Sequence, residues 1–153
     1  MARILIAEDD PLVFSFIEKR LRKVGYATEV ADDGDKALEL ALSGDFDLVL
    51  LDMALPSRDG HEVLQELRKA GSQIPVIVVS GRPEMRDTVA SLNVGAADFV
   101  IKPFRFEELL ARVREHLRFR GMLADRDVEV APHDEDGSRP FLAPPSENGW
   151  REL

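Results

Sequence analysis

The sequence contains no cysteine among its 153 residues. A disulfide framework, a thiolate nucleophile and a thiolate metal site are therefore excluded. Histidine is scarce as well, and its three positions (His61, His116 and His133) are too scattered to suggest a histidine-rich metal site. The uninterrupted apolar runs are only as long as single strands, so no segment predicts a membrane span. The first ten residues carry one positive charge followed by carboxylates, which is not the pattern of a signal peptide.

Positive charge is also in short supply, because 20 Lys and Arg residues face 29 Asp and Glu residues. The resulting net charge of −9 argues against non-specific binding to nucleic acids or to anionic membranes. Hydrophobic residues make up 44% of the chain, which is enough for a packed core and excludes disorder throughout. We therefore expect a soluble, cytoplasmic protein.

The acidic excess is concentrated at the end of the chain. Residues 121–153 contain eight Asp and Glu residues and three Arg residues, together with four of the nine prolines. This composition predicts one folded domain over residues 1–120, followed by an acidic, proline-rich and flexible tail over residues 121–153. The alternative is that the hydrophobic residues of the tail, Phe141, Leu142 and Trp150, dock on a partner or on the domain.

Residues 1–120 alternate short apolar runs with segments of helical periodicity. The runs predict five strands, at residues 4–7, 27–30, 48–51, 76–79 and 99–101. The periodic segments predict five helices, at residues 11–24, 34–42, 61–70, 84–94 and 106–119. This alternation predicts an α/β fold with a single doubly wound, five-stranded parallel sheet, flavodoxin-like, with strand order 2-1-3-4-5.

Polar residues follow the predicted strands, at the edge where ligands bind in such sheets. Glu8, Asp9 and Asp10 follow the first strand, Asp52 the third, Ser80 the fourth and Lys102 the fifth. With strands 1 and 3 as neighbours, three carboxylates would crowd one cleft, which requires a cation to offset their repulsion. Oxygen ligands without His or Cys suit Mg²⁺ or Mn²⁺. A carboxylate beside such an ion, an ammonium group and a hydroxyl group suits phosphoryl transfer to an aspartate.

Four sequence segments, taken together, resemble the receiver domain of two-component response regulators. They are ILIAEDDP (4–11), LVLLDMALPSRDG (48–60), VIVVSG (76–81) and GAADFVIKPF (95–104). No single segment is decisive, since acid pairs and Lys-Pro dipeptides are common, but together, in this order and at these spacings, the segments are highly specific. The chain is most similar to receivers of the subfamily linked to winged-helix DNA-binding domains.

The resemblance implies roles for the acids and their neighbours. Asp52 would be the phosphoacceptor, and Asp9 and Asp52 would bind Mg²⁺ directly. Glu8 would bind the ion through water, and the backbone carbonyl of Ala54 would supply a further ligand.

The resemblance also assigns roles on the other side of the cleft. Ser80 and Lys102 would hold the phosphoryl oxygens. Phe99 matches the aromatic switch position of the family, although a plain core aromatic is an equally good interpretation. Pro103 is often preceded by a cis peptide bond in the family.

Several residues have simpler interpretations. Asp10 precedes Pro11 and is better explained as a helix cap than as a metal ligand. Gly60 follows Asp59 and is interpreted as a turn residue that needs a positive φ. The arginines of the last predicted helix are favoured by the helix dipole, so they do not indicate DNA binding.

Some positions depart from the family. Ser80 stands where Thr is commoner and Gly81 where Ala is usual. Ala54 and Arg82 occupy positions that tune the phosphoryl lifetime in receivers. Because Ala54 has no side chain to orient an attacking water, we expect slow hydrolysis of the phosphorylated aspartate.

The expected output of the chain is a protein contact. Similar receivers dimerise through helix 4, strand 5 and helix 5, and Asp98 and Arg112 lie where one cross-subunit ion pair would form, whereas Thr88 and Asn93 are neutral where charges are usual. Residues 121–153 are too few for a winged-helix output domain, so we expect no direct DNA binding.

The leading hypothesis is therefore a receiver that is phosphorylated by a histidine kinase or a histidine phosphotransfer protein and then contacts a downstream protein target. It would catalyse only its own phosphorylation and dephosphorylation. The alternatives are a receiver-like binding module that is never phosphorylated, and an enzyme on the same fold. A flavin carrier is disfavoured by the acids after strand 1, and an aspartate-nucleophile phosphatase by the absence of a D-x-D motif there.

Overall fold

Five parallel strands form a single sheet in the order β2-β1-β3-β4-β5. This is the predicted order, and it is seen in a computed structural model that describes residues 1–81 and 93–119. The strands are β1 (Arg3–Ala7), β2 (Ala27–Ala31), β3 (Leu48–Asp52), β4 (Val76–Ser80) and β5 (Asp98–Ile101). The doubly wound α/β architecture is confirmed.

In residues 1–81 and 93–119, four helices connect or follow the strands: α1 (Pro11–Lys23), α2 (Gly34–Leu42), α3 (Gly60–Lys69) and α4 (Phe106–Phe119). Three begin at an aspartate whose side chain accepts a backbone N–H of the first turn, namely Asp10, Asp33 and Asp59. The capping role predicted for Asp10 is confirmed. The helix predicted at 84–94 lies almost entirely outside the described residues, and the predicted tail at 121–153 lies wholly outside them.

The sheet is covered on both faces by helices. On one face, alternate strand residues pack with α2 and α3, and Leu51, Val63 and Leu67 are fully buried there. On the other face, the intervening residues pack with α1 and α4, and Ile6 and Leu109 are buried there. Because successive strand side chains point to opposite faces, apolar residues at consecutive positions are what a sheet covered on both faces requires.

The strand bounds differ from the predicted ones at the edge that matters for function. Asp52 and Ser80 are the last residues of β3 and β4 instead of the first residues after them. Both are buried, with relative exposures of 5% and 4%. The backbone ladder therefore continues through these polar residues and fixes their positions.

The role predicted for Gly60 is wrong. Gly60 does not have a positive φ; such values occur at Gly25, Gly44, Gly71 and Gly95 among the described glycines. Gly60 is instead the first residue of α3, and a Cβ atom there would lie 2.4 Å from the carbonyl oxygen of Asp52. Glycine is needed because the start of α3 approaches the end of β3 too closely for a side chain.

Replacing Gly60 with alanine is expected to lower the free energy of unfolding by about 1–3 kcal/mol, because the backbone at Asp52 and Met53 must move to admit the methyl group. Gly81→Ala is the matched control, since its Cβ would meet only the Lys102 Cβ at 4.0 Å. Urea denaturation followed by circular dichroism measures both. Equal stability of the two variants would contradict the close approach.

A buried ion-pair network joins β5 to α4. Arg112, 4% exposed, donates to Asp98 at 2.8 Å and also pairs with Glu108. His116 lies 3.1 Å from the other Asp98 oxygen, and the Phe99 amide donates to Asp98 at 2.9 Å. Burial alone would raise the pKa of Asp98, but the hydrogen bonds and the Arg112 charge outweigh it and hold this pKa below 3.8. Asp98 and Arg112 are thus paired within one chain, and the cross-subunit pair stays a prediction.

Asp98→Asn is expected to lower the free energy of unfolding by about 2 kcal/mol at neutral pH, because it leaves the buried Arg112 with one carboxylate partner fewer. Because the pKa of Asp98 is lowered in the folded state, the ionised carboxylate stabilises the fold above pH 3.8. This contribution is lost as the pH falls through the folded-state pKa of Asp98. The difference from wild type should therefore shrink below pH 3.8. Urea denaturation across that range measures it, with the exposed Asp45→Asn as control; a difference independent of pH would contradict the network.

None of the helices in the described part of the chain is long and apolar enough to cross a membrane.

Candidate functional site

Three carboxylates meet at the carboxyl edge of the sheet. The β1–β3 register pairs Ala7 with Leu51, so Glu8 and Asp52 come next on adjacent strands. One carboxylate oxygen from each of Glu8, Asp9 and Asp52 lies within 4.8 Å of the other two. Glu8 and Asp52 are buried, whereas Asp9 is exposed. Asp9 thus exposes the cluster to solvent.

Lys102, the residue after β5, supplies positive charge to these carboxylates. Its Nζ lies 2.8 Å from Glu8 Oε1 and 3.3 Å from Asp52 Oδ2. Neighbouring strands are about 4.8 Å apart, so β5 lies about 10 Å from β3 and the long lysine side chain spans β4. A backbone hydrogen bond of 2.8 Å from the Lys102 amide to the Ser80 carbonyl fixes where that side chain begins. The residues that the sequence predicts at the site are therefore brought together, with Glu8 as the nearer partner of Lys102.

The charges in the cluster alter one another's proton affinity. Burial raises the pKa of the Glu8 carboxyl, and the negative charge of Asp52 raises it further, while the hydrogen bond from Lys102 opposes both. Burial would lower the pKa of the Lys102 ammonium, but Glu8 and Asp52 outweigh burial and raise it above 10.5. Lys102 is thus held as a cation, and the cluster still carries an excess of negative charge.

The other predicted site residues lie in the loop after β3 and in the strands β4 and β5. The Ala54 amide donates to Asp52 Oδ1 at 3.1 Å, and its methyl group is exposed. Ser80 ends β4, one position beyond Val79, the register partner of Asp52. Phe99 is fully buried in the core on the α2–α3 face. The peptide bond between Lys102 and Pro103 is cis.

Two contacts that position the loop after Asp52 have no signal in the sequence. Arg58, in the loop between β3 and α3, donates to Asp35 of α2 at 2.9 Å, and the Gly34 amide donates to the Pro56 carbonyl at 2.9 Å. These contacts tie the loop that follows Asp52 to the start of α2. The partners are more than 20 residues apart in the chain, so no local pattern could have indicated them.

The donor set suits a hard divalent cation. All three side chains of the cluster offer carboxylate oxygens, which Mg²⁺ and Mn²⁺ prefer, and the exposed Asp9 leaves room for coordinated water. A second positive charge would also relieve the repulsion that Lys102 offsets only in part. The arrangement is consistent with the Mg²⁺ site of receiver domains.

Comparison with known proteins gives the same assignment. Residues 4–114 match the model of the response regulator receiver domain. YkoG of Bacillus subtilis, an uncharacterized transcriptional regulatory protein, is 44% identical over 118 residues, which cover 77% of this chain and 52% of YkoG. The transcriptional regulatory protein DltR of Streptococcus agalactiae is 42% identical over 128 residues, which cover 84% of this chain and 57% of DltR. The chain thus spans a little over half the length of these relatives.

Solved structures agree with the sequence comparison. The receiver domain of the Francisella response regulator 1452 superposes with a TM-score of 0.75 at 32% identity, covering 78% of this chain and 99% of that one. The BeF3-activated N-terminal receiver domain of RstA from Klebsiella pneumoniae gives a TM-score of 0.72 at 36% identity, covering 76% and 98%. With its parallel sheet, its acidic cluster and its match over residues 4–114, this chain belongs to the response regulator receiver domains, which are signalling phosphoacceptors and not enzymes in the ordinary sense.

Proposed function

We propose that the chain accepts a phosphoryl group on Asp52 from a phosphohistidine donor. The observation that carries this proposal is the placement of the Lys102 ammonium 3.3 Å from Asp52 inside a cluster of three carboxylates. Membership of the response regulators implies a cognate histidine kinase, and a histidine phosphotransfer protein is the other candidate donor. Response regulators typically act in the cytoplasm, and we infer the same location here.

Each residue of the cluster has a distinct task in the proposed transfer. An Asp52 oxygen attacks the phosphorus atom, the oxygen–phosphorus bond forms, and the phosphorus–nitrogen bond to the donor imidazole breaks. Lys102 neutralises charge on the phosphoryl oxygens, and the Ser80 hydroxyl donates a hydrogen bond to one of them. For this step the Lys102 ammonium, which lies 2.8 Å from Glu8, must give up part of that contact and bind an oxygen of the incoming phosphoryl group.

We assign Asp9, Asp52 and the Ala54 carbonyl as direct ligands of Mg²⁺, with Glu8 acting through water. The bound ion would offset the negative charge that develops as the carboxylate and the phosphoryl group approach each other. The Ala54 amide, which donates to Asp52, holds the carboxylate in a fixed orientation before the donor arrives.

The downstream step in this proposal is a phosphorylation-dependent protein contact. Phosphorylation would shift a pre-existing equilibrium between two surface states, with Ser80 and Phe99 as the switch residues. Phe99 is fully buried, and we assign this inward position to the state in which the Ser80 hydroxyl group approaches the phosphoryl group. We place the folded receiver at residues 1–120 and treat 121–153 as a separate tail. The second candidate function, a binding module without phosphorylation, would use the same surface permanently.

Incubation with Mg²⁺ and acetyl phosphate is expected to add one phosphoryl group to the intact protein, and mass spectrometry detects it. The adduct should be lost in Asp52→Asn and strongly reduced in Lys102→Gln, because the nucleophile and the neutralising cation are removed. The exposed Asp45→Asn is the control and should be phosphorylated like wild type. If no adduct forms with acetyl phosphate or with any histidine kinase, the binding module is favoured; turnover of external phosphoesters would indicate an enzyme instead.

The phosphorylated protein is expected to lose its phosphoryl group slowly, with a half-life of minutes or longer, because Ala54 has no polar side chain to orient a water. Ala54→Gln should shorten that half-life several-fold, since an amide near the site can position an attacking water. The hydrogen bond from the residue 54 amide to Asp52 is unaffected by this change. Ala70→Gln, the same substitution at an exposed site at the end of α3, is the control. A half-life of seconds in the wild type would contradict this prediction.

A further inference from the structure

The carboxyl-terminal half of α1 carries a basic surface that the proposed phosphotransfer does not use. Lys19, Arg20 and Lys23, together with Val24 and Phe106, line an open groove of about 810 Å³. We call the three cations the α1 basic patch. Within residues 1–81 and 93–119, no carboxylate lies within 4.0 Å of them, whereas Arg22 on the same helix pairs with Glu18 at 2.9 Å.

The helix dipole alone does not account for this surface. The dipole favours cations in the last turn of any helix, but here the cations line a groove together with the apolar side chains of Val24 and Phe106. The Arg20 guanidinium lies 4.7 Å from the centroid of the Phe16 ring and 5.7 Å from that of Phe106. Phe106 is only 7% exposed, so the stacking holds Arg20 in place beside the groove. A positioned cation loses less conformational freedom when an anionic group binds to it.

Helix α4 ends close to the α1 basic patch. Helices α1 and α4 pack on the same face of the sheet, and both begin at its carboxyl edge. They meet where the Phe16 and Phe106 rings contact edge to face at 6.3 Å. At a rise of 1.5 Å per residue, Lys23 lies about 10 Å beyond Phe16 and residue 119 about 20 Å beyond Phe106. The chain therefore leaves α4 about 10 Å past the patch, at the same end of the domain.

The chain that follows α4 has the complementary charge. Residues 121–136 contain six acids, namely Asp125, Asp127, Glu129, Asp134, Glu135 and Asp136, and a single arginine, Arg126. Asp125 is the sixth residue after position 119, and six extended residues span up to about 20 Å. That reach is sufficient for the first acids to return to the patch.

We propose that the acidic segment 121–136 docks on the α1 basic patch of its own chain. The proposal concerns a different face from the phosphoacceptor cleft and does not depend on phosphorylation. Because the segment is tethered, its effective concentration at the patch is high and several individually weak charge contacts suffice. Such contacts are screened over about 8 Å at physiological ionic strength, so the docking should weaken as salt is added.

The test uses the full 153-residue chain, whose lack of cysteine allows a single spin label at Val128→Cys. Amide signals of residues 19–24 should be broadened at low salt several-fold more than those of residues 64–69 on α3, which lies on the opposite face. High salt should abolish the difference. Broadening that is equal at the two sites, or that ignores salt, would overturn the proposal.

Charge variants separate specific docking from general proximity. Lys19→Glu with Lys23→Glu should remove the broadening of α1, and adding Asp125→Lys with Asp127→Lys should restore it. Lys36→Glu with Lys69→Glu, which makes the same charge change on α2 and α3, should leave it intact. Circular dichroism checks that each variant is folded, and failure of the α1 charge reversal to alter the broadening would overturn the proposal.

The identity of the occupant is tested by mixing. One protein sample carries the spin label but no isotope, and the other carries the isotope but no spin label. If the first broadens the α1 signals of the second, the contact lies between two copies and the intrachain proposal is wrong. Broadening confined to molecules that carry both labels supports it.

Discussion

The neighbouring placement of β1 and β3 in a parallel sheet is the constraint on which the rest of the site depends. It sets Glu8 and Asp52 side by side with Asp9, where their repulsion works against the fold. Lys102, which follows β5, offsets part of that repulsion. Because β4 lies between β3 and β5, the lysine side chain must span β4 to reach the carboxylates. The same repulsion that works against the fold makes the cleft attractive to a divalent ion and to a group that brings positive charge or needs its own charge neutralised.

Much of the fold could be predicted because its signals are local. Short apolar runs of three or four residues predicted the strands, and the aspartates before α1 and α2 marked helix starts through their capping geometry. The site was predictable to the extent that it lies at strand ends, so Glu8, Asp9, Asp52 and Lys102 could be brought together from the topology alone. The resemblance to receivers then supplied their roles.

What could not be predicted depends on distances between segments remote in sequence. Gly60 was misinterpreted because a close approach to the Asp52 carbonyl produces the same residue choice as a positive φ. The contact between Arg58 and Asp35 has no sequence signal, because the two residues are 23 positions apart in the chain. Asp98 and Arg112 also pair within one chain, across β5 and α4, a contact that no local pattern indicates; the cross-subunit pair stays a prediction.

Strand β5 has consequences for how this domain tolerates changes in length. Phe99 faces the α2–α3 layer and Val100 faces the α1–α4 layer, while Lys102 continues toward the cleft. A deletion or insertion of one residue between Gly95 and Lys102 would exchange the two faces and carry the ammonium group away from Asp52. In an evolving lineage, loops such as that between α2 and β3 can therefore lengthen or shorten, whereas the spacing along this strand is held fixed by both layers at once.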